Sequence, residues 1–197
     1  MIPVFIVFEG VDGAGKSEVS KLVAKKLGAL HLESPTSPFS SIRRHVDDNL
    51  CDKGRFHFYM ASNFDLSLKI SDKIKSNSII CSRYFHSTVV GFASRQNLDI
   101  ENVYKTSLTT KNDFLFPDLT IFLNVNKDTQ RKRIVSRASS NNSKSDYMCF
   151  ENEEYRERLF KNYKYVSEKE NWYSIDTSLM SISEVVNECI NKILTNN

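Results

Sequence analysis

The feature that most constrains this chain is a glycine-rich loop between an apolar segment and an amphipathic one. Residues 10–17 read Gly-Val-Asp-Gly-Ala-Gly-Lys-Ser and match the pattern G-x-x-x-x-G-K-[ST] in full. Residues 3–8 are largely β-branched or aromatic, which predicts a strand that is buried on both faces. Apolar residues at helical spacing predict a helix from Lys16 to Leu27, with Gly28 as its C-terminal cap.

This order of strand, loop and helix is the setting in which such a loop binds phosphate. The glycines let the backbone curl so that successive N–H groups point into one anion-sized hollow, at the positive end of the helix dipole. Lys16 adds a cation for the β- and γ-phosphates, and the Ser17 hydroxyl can ligate Mg²⁺. The sequence therefore predicts that ATP and Mg²⁺ bind here, with Ser17 as the metal ligand and with these loop residues as the ATP site: Gly10, Val11, Asp12, Gly13, Ala14, Gly15, Lys16 and Ser17.

Apolar segments of strand length alternate with helical patterns along the rest of the chain. Strands are predicted at 30–32, 78–81, 119–125 and 172–175, and helices at 40–50, 56–76, 86–112 in two pieces, 127–138, 151–168 and 182–193. The alternation predicts an α/β fold with three layers, αβα, in which helices cover both faces of a mostly parallel five-stranded sheet. A polar, low-complexity segment at 139–145 cannot build a core and predicts a short lid at about 137–150.

Length and composition limit the number of domains, the location and the partners. At 197 residues the chain has the length of a single domain, 1–197. Its longest apolar run lies within residues 3–8, which excludes both a span of about 20 residues and a signal peptide core. Four widely spaced cysteines indicate reduced thiols, so a cytoplasmic location is expected. The net charge of +3 implies neither a nucleic-acid nor a membrane partner.

Two other classes of triphosphate-binding protein lack their markers here. A GTP switch needs Asn-Lys-x-Asp to read the base, and residues 126–129 read Asn-Lys-Asp-Thr. Large motor and transporter ATPases carry an apolar run that ends in an acidic metal ligand, whereas residues 79–81 are followed by Ser82. A small kinase remains, in which a short chain holds two phosphorylated substrates in line under an arginine-bearing lid.

Four segments resemble thymidylate kinases, and they occur in the order expected of that family. They are 8–17, 82–87 (Ser-Arg-Tyr-Phe-His-Ser), 116–123 (Phe-Pro-Asp-Leu-Thr-Ile-Phe-Leu) and 175–178 (Ile-Asp-Thr-Ser). The similarity covers nearly the whole chain. It implies transfer of the ATP γ-phosphoryl group to a small-molecule deoxynucleoside monophosphate, with dTMP as the first choice and dTDP as its product. It also implies a homodimer that packs through the long helices.

The resemblance assigns roles to individual residues. Asp12 would lie near the 3′-hydroxyl of the acceptor sugar, and Arg83 would contact the acceptor phosphate. Tyr84 and Ser87 would line the same pocket. Asp12 and Arg83 therefore join Lys16 among the candidate catalytic residues.

A catalytic arginine is expected from the lid. Some family members carry an arginine at the loop position that Gly13 occupies here, so this chain resembles the members whose arginine lies in the lid. Arg137 is the candidate, with Arg131 and Arg133 beside it. An arginine aimed at the transferring phosphoryl group neutralises charge that grows in the transition state. The competing interpretation is that these arginines are solvated charges on a helix surface.

The acceptor pocket departs from the family pattern at several positions. Ser82 replaces an acid and cannot supply negative charge to the water shell of Mg²⁺. Phe64 replaces an arginine, and Met60 replaces an aromatic residue that stacks on the base. Both remain candidate acceptor-site residues, with packing in the core as the alternative. Arg43 survives as a candidate cation for the acceptor phosphate, with a surface salt bridge as the alternative.

These departures leave two other functions open. A nucleoside kinase on the same fold would phosphorylate a neutral 5′-hydroxyl and would need a general base, for which Glu9 is the candidate. A nucleotide-binding regulator that has lost phosphoryl transfer would bind ATP without turnover. Product detection with monophosphates and with free nucleosides separates the three possibilities.

Overall fold

Five parallel strands form the sheet at the centre of the structure. The computed structural model describes residues 3–108, 113–137 and 152–196. Its strands are β1 (Phe5–Glu9), β2 (Leu30–Glu33), β3 (Ile79–Ser82), β4 (Leu119–Asn124) and β5 (Tyr173–Asp176). Their order across the sheet is β2-β3-β1-β4-β5, and every neighbouring pair is parallel. The predicted α/β fold with a mostly parallel five-stranded sheet is confirmed.

Helices connect the strands and pack against the sheet. They are α1 (Lys16–Leu27), α2 (Phe39–Asn49), α3 (Asp52–Lys73), α4 (Phe85–Gln96), α5 (Ile100–Ser107), α6 (Lys127–Arg137), α7 (Glu153–Lys169) and α8 (Ile182–Thr195). Gly28 ends α1 in the left-handed conformation at φ 65°, and its N–H donates to Ala24 O. Ser181 and Glu184 form a capping box at the start of α8. Both caps agree with the sequence predictions.

Helix α3 begins at Asp52, earlier than the predicted start at Phe56. The first turn is polar, so the apolar stripe that marks the helix in the sequence starts only after it. In the structure the Asp52 carboxylate lies 3.1 Å from Arg95 Nε and accepts a hydrogen bond from Gln96 Nε2 at 2.6 Å. A tertiary contact with α4 therefore extends α3 beyond the segment that its own pattern indicates.

The strand β1 is the most deeply buried part of the sheet. All five residues of β1 are buried, and Phe5, Val7 and Phe8 have no exposed surface. Its neighbours are β3 and β4, with Phe8 opposite Ser82 and Ile121. Because β1 is central and parallel, its carboxyl end and the loop after it open at the edge of the sheet where ligands bind in such folds.

The predicted lid at about 137–150 lies outside the described residues, apart from the backbone of Arg137 at the end of α6. In the part of the chain that the structure describes, no helix has both the length and the apolar character needed to cross a bilayer.

Candidate active site

The glycine-rich loop follows β1 and leads directly into α1. Gly10, Gly13 and Gly15 have φ values of 141°, 82° and 94°, a backbone conformation that residues with a side chain rarely adopt. A Cβ on Gly10 would lie 2.2 Å from the backbone oxygen of Leu123 on β4, so the loop must approach that strand closely. The Lys16 ammonium is buried and donates to Val11 O at 2.6 Å. The loop thus wraps around a fixed cation at the start of α1.

Two hydrogen-bonded contacts hold the outer side of this loop in place. The side-chain amide of Gln130 on α6 donates to Asp12 O at 2.7 Å. Arg133 on the same helix donates to Thr177 O at 2.7 Å and to Thr177 Oγ1 at 2.9 Å. Thr177, just after β5, also lies 3.4 Å from Ala14 O. Arg133 also donates to Gly13 O at 3.4 Å, so this neighbour of the candidate lid residue Arg137 binds both the loop and the end of the sheet.

Arg83 and Asp12 form an ion pair beside the loop. Arg83 follows β3 in a left-handed conformation with φ 64°, which is uncommon for a residue with a side chain. Such conformations cluster at functional sites. Its guanidinium binds the Asp12 carboxylate, which also lies 4.0 Å from Lys16 Nζ. Burial pulls the pKa of Arg83 down, but Asp12 and other negative groups outweigh it, so its pKa is raised and it stays a cation.

Glu9, the last residue of β1, organises the start of α4. Its carboxylate accepts from Tyr84 N at 3.1 Å and from Ser87 N at 3.2 Å, and it is also bound by the Ser87 hydroxyl. Glu9 has no exposed surface. Burial raises its pKa, while the Ser87 hydroxyl and the Arg83 cation act in the opposite direction. The carboxylate is therefore committed to holding Tyr84 and Ser87 in position.

A cavity opens between the loop, α2, α3, α4 and α7. Five residues predicted to contact the acceptor line it: Asp12, Arg43, Arg83, Tyr84 and Ser87. Residues that the sequence analysis missed also line it: Asp47, Arg55, Tyr59, Arg95 and Tyr163. The described lining includes four arginines against two aspartates, so it suits an anionic ligand.

Three of the missed residues, Asp47, Arg55 and Tyr59, form one polar network with Arg43. Asp47 accepts from Tyr59 at 2.9 Å and lies 3.1 Å from Arg55 and 3.4 Å from Arg43. The Arg43 guanidinium also donates to Tyr59 Oη at 3.2 Å. Arg43 and Asp47 are four residues apart, as are Arg55 and Tyr59, and residues at this spacing are neighbours on the surface of a helix. This spacing was the signal in the sequence that could have indicated the two pairs. The pairing between α2 and α3 carries no such local signal.

Met60 and Phe64 are not among the residues that line this cavity. Met60 is 8% exposed and belongs to the hydrophobic core. The Phe64 ring stacks on Phe114 with the ring centroids 4.2 Å apart. Met60 therefore packs in the core and Phe64 packs against it, outside this cavity, as expected when a regular apolar stripe on a helix packs against the layer beneath it.

The side chains beside Ser17 suit a hard cation. Ser17 Oγ donates to Glu33 Oε1 at 2.6 Å and lies 3.5 Å from Ser82 Oγ. Mg²⁺ prefers oxygen ligands, and it is held by one or two protein groups together with phosphates and waters. Within the described ranges, no group of three or more His, Cys, Asp or Glu residues converges. The candidate lid residue Arg137 has its side chain outside what the structure describes.

Comparison with known proteins identifies the family. The family model for thymidylate kinase matches residues 8–189. A probable thymidylate kinase of Methanococcus maripaludis strain S2 is 30% identical over 96% of this chain and 94% of its own length. A thymidylate kinase of Rickettsia typhi is 32% identical over 75% of this chain and 81% of its own length.

Solved structures of kinases have the same fold as this chain. A thymidylate kinase from Candida albicans aligns with a TM-score of 0.78 and 19% identity, over 98% of this chain and 92% of its own. A deoxyadenosine kinase from M. mycoides aligns with a TM-score of 0.69 and 22% identity, over 97% and 99%. At these identities the likeness concerns the fold, while the sequence matches decide the family. The chain therefore belongs to the thymidylate kinase family, which confirms both the predicted family and the predicted class of ATP-dependent phosphotransferase.

Proposed function

We propose that this protein transfers the γ-phosphoryl group of ATP to the phosphate of dTMP, giving dTDP and ADP. The observation that carries the proposal is the contact between Arg83 and Asp12. It joins the phosphate loop to a cavity whose described lining has four arginines against two aspartates, a charge suited to the phosphate of a nucleoside monophosphate. Family membership supports dTMP as the acceptor.

The donor side depends on the loop and on Lys16. Backbone N–H groups at the start of α1 would bind the phosphates of ATP, and Lys16 would contact the β- and γ-phosphates. Ser17 would hold Mg²⁺, which neutralises phosphate charge when it is bound. Lys16 is buried and donates to Val11 O, so its ammonium group is held at the loop where the phosphates would bind.

The acceptor side depends on Arg43 and Arg83. Both cations line the cavity and would bind the phosphate of dTMP, and Asp12 would lie near the sugar. An oxygen of that phosphate attacks the γ-phosphorus, and the bond from the γ-phosphorus to the bridging oxygen of ADP breaks. The attacking oxygen is already ionised at neutral pH, so positioning and charge neutralisation replace base catalysis. Arg137 would add a further cation from the lid.

The contacts of Glu9 argue against the nucleoside kinase alternative. A general base needs a carboxylate that is free to take a proton from a 5′-hydroxyl. Glu9 instead accepts hydrogen bonds from two backbone N–H groups and a hydroxyl. It acts as a positioning residue for Tyr84 and Ser87.

The remaining expectations complete the proposal. Residues 1–197 would form a single kinase domain, with 137–150 as its lid. The protein would act in the cytoplasm as a homodimer that packs through its long helices, without nucleic-acid or membrane partners. Light scattering tests the dimer, and a monomeric mass at micromolar concentration would exclude it.

Product detection tests the activity. The protein is incubated with Mg-ATP and, separately, with dTMP, the other nucleoside monophosphates and the free nucleosides, and products are identified by mass spectrometry. We expect dTDP from dTMP, and loss of that product in Lys16→Ala. Lys25→Ala, which removes an exposed lysine from the same helix, is the matched control. Phosphorylation of a free nucleoside, or ATP binding without any product, would overturn the proposal in favour of one of the two alternatives.

A further inference from the structure

We propose that Glu33 carries the acidic group of the magnesium site in this chain, in place of the acid that is missing at residue 82. The inference deepens the proposed function, because it concerns the Mg²⁺ that accompanies ATP. It assigns to the end of β2 a role that the resemblance assigned to the end of β3.

The contacts of Ser17 carry the inference. Its hydroxyl, the candidate metal ligand, donates to Glu33 Oε1 at 2.6 Å. The same hydroxyl lies 3.5 Å from Ser82 Oγ. A carboxylate from β2 and a hydroxyl from β3 therefore converge on the atom that would bind the metal.

The register of the sheet explains how Glu33 reaches this atom. Strands β2 and β3 are parallel neighbours, and Glu33 lies directly opposite Ser82. Side chains opposite each other in a parallel pair project from the same face of the sheet. A carboxylate moved from residue 82 to residue 33 therefore stays at the same edge and on the same side, one strand further from β1.

The chemistry of the site requires such a group. Mg²⁺ is bound in nucleotide sites by one or two carboxylates together with substrate phosphates, and it keeps several waters. Ser82 is fully buried and neutral, so it supplies no charge. Glu33 is exposed, so solvent reaches its carboxylate and a bound ion can retain its water shell. Among the described residues Glu33 is the carboxylate that contacts Ser17.

Metal binding, rather than activity, gives the test. Mn²⁺ replaces Mg²⁺ as the probe, and the free Mn²⁺ signal in electron paramagnetic resonance is titrated against the protein saturated with the non-hydrolysable analogue AMPPNP. We expect Glu33→Gln to weaken Mn²⁺ binding about tenfold or more, as is typical when a group that supports a metal site is removed. Glu101→Gln removes the same charge from a half-exposed side chain on α5 and should leave Mn²⁺ binding unchanged.

Relocating the charge provides the complementary variant. In Glu33→Gln/Ser82→Asp the carboxylate returns to β3, and we expect most of the lost Mn²⁺ affinity to return. Circular dichroism establishes that each variant is folded. If the buried aspartate prevents the double variant from folding, Glu33→Gln decides alone, since it replaces an exposed side chain by one of the same shape.

The outcomes separate this inference from the proposed function. Wild-type Mn²⁺ affinity in Glu33→Gln would overturn the inference. It would also be overturned if Glu33→Gln lost AMPPNP affinity in the presence of EDTA by the same factor as it lost Mn²⁺ affinity, because Glu33 would then contact the nucleotide and not the metal. A folded double variant that regains no Mn²⁺ affinity would also overturn it. A wild-type protein that binds Mn²⁺ and AMPPNP but forms no dTDP would refute the proposed activity. The Mn²⁺ affinities of the wild type and Glu33→Gln could still be compared, so the inference about Glu33 would still be tested.

Discussion

Replacing Gly10 by alanine tests how closely the phosphate loop must approach the sheet. The backbone of Gly10 has φ 141°, and an added Cβ would lie 2.2 Å from Leu123 O, where Cβ contacts below 3.0 Å essentially never occur. The clashing atom belongs to the backbone of β4, a buried interior strand, and cannot rotate away. Backbone strain costs about 1–3 kcal/mol and overpacking costs about as much again. We therefore expect the free energy of unfolding to fall by roughly 2–6 kcal/mol.

Gly28→Ala is the matched control for this change. Gly28 also has a positive φ, 65°, but no atom lies within 4 Å of the Cβ that alanine would add. The left-handed backbone alone costs about 1–2 kcal/mol. Urea unfolding followed by far-ultraviolet circular dichroism measures both variants, and unchanged m-values show that the comparison is sound. If Gly10→Ala loses no more unfolding free energy than Gly28→Ala, the close approach of the loop to β4 is refuted.

Three further predictions concern single contacts of the site. Arg83→Lys keeps the charge but loses the planar fork that binds Asp12, so the KM for dTMP should rise about tenfold or more while the KM for ATP changes little; equal rises would contradict the assignment of Arg83 to the acceptor. Thr177→Val deprives Arg133 of an acceptor at 2.9 Å and should lower the free energy of unfolding in urea by about 1–3 kcal/mol, with Thr177→Ser near wild type. Burial raises the pKa of Glu9 above its usual value of 4.5, so between the unfolded and the folded pKa the folded state holds a proton that the unfolded state has released. The contribution of Glu9 to the free energy of unfolding is therefore greatest below pH 4.5 and falls as the pH rises from there through the folded pKa. Glu9→Gln should remove this dependence, and a difference between wild type and variant that stays flat from pH 4.5 to neutral pH would contradict the argument.

Local patterns in the sequence predicted most of the elements correctly. The apolar residues of β1, the glycine loop and the helix α1 each carry their own signal within a few residues, and the structure has all three where they were expected. The start of α3 at Asp52 was missed because it depends on Arg95 and Gln96 of α4. Contacts between elements that are distant in the sequence leave no periodic pattern to read.

In the candidate site, too, the sequence predicted what short motifs specify and missed what depends on contacts between distant elements. Asp12 and Arg83 were predicted from short motifs, and the structure brings them into contact. Phe64 was a candidate for the pocket by its position relative to the family pattern, with core packing as the alternative; in the structure its ring stacks on Phe114 against the core. The contact between Ser17 and Glu33 depends on strand register, which the sequence motifs did not specify.

The amide of Gln130 connects the phosphate loop with two helices at once. It is buried, donates to Asp12 O at 2.7 Å from α6, and accepts from Arg156 Nε of α7 at 2.7 Å. Those two helices are the ones that border residues 138–151 in the sequence. A shift of the loop backbone therefore changes the hydrogen bond to an α6 side chain that also accepts a hydrogen bond from α7. A nucleotide that moves Asp12 O relative to Gln130 therefore shifts the equilibrium between different arrangements of α6 and α7. Because such coupling is reciprocal, the factor by which the nucleotide favours one arrangement is also the factor by which that arrangement raises the affinity for the nucleotide.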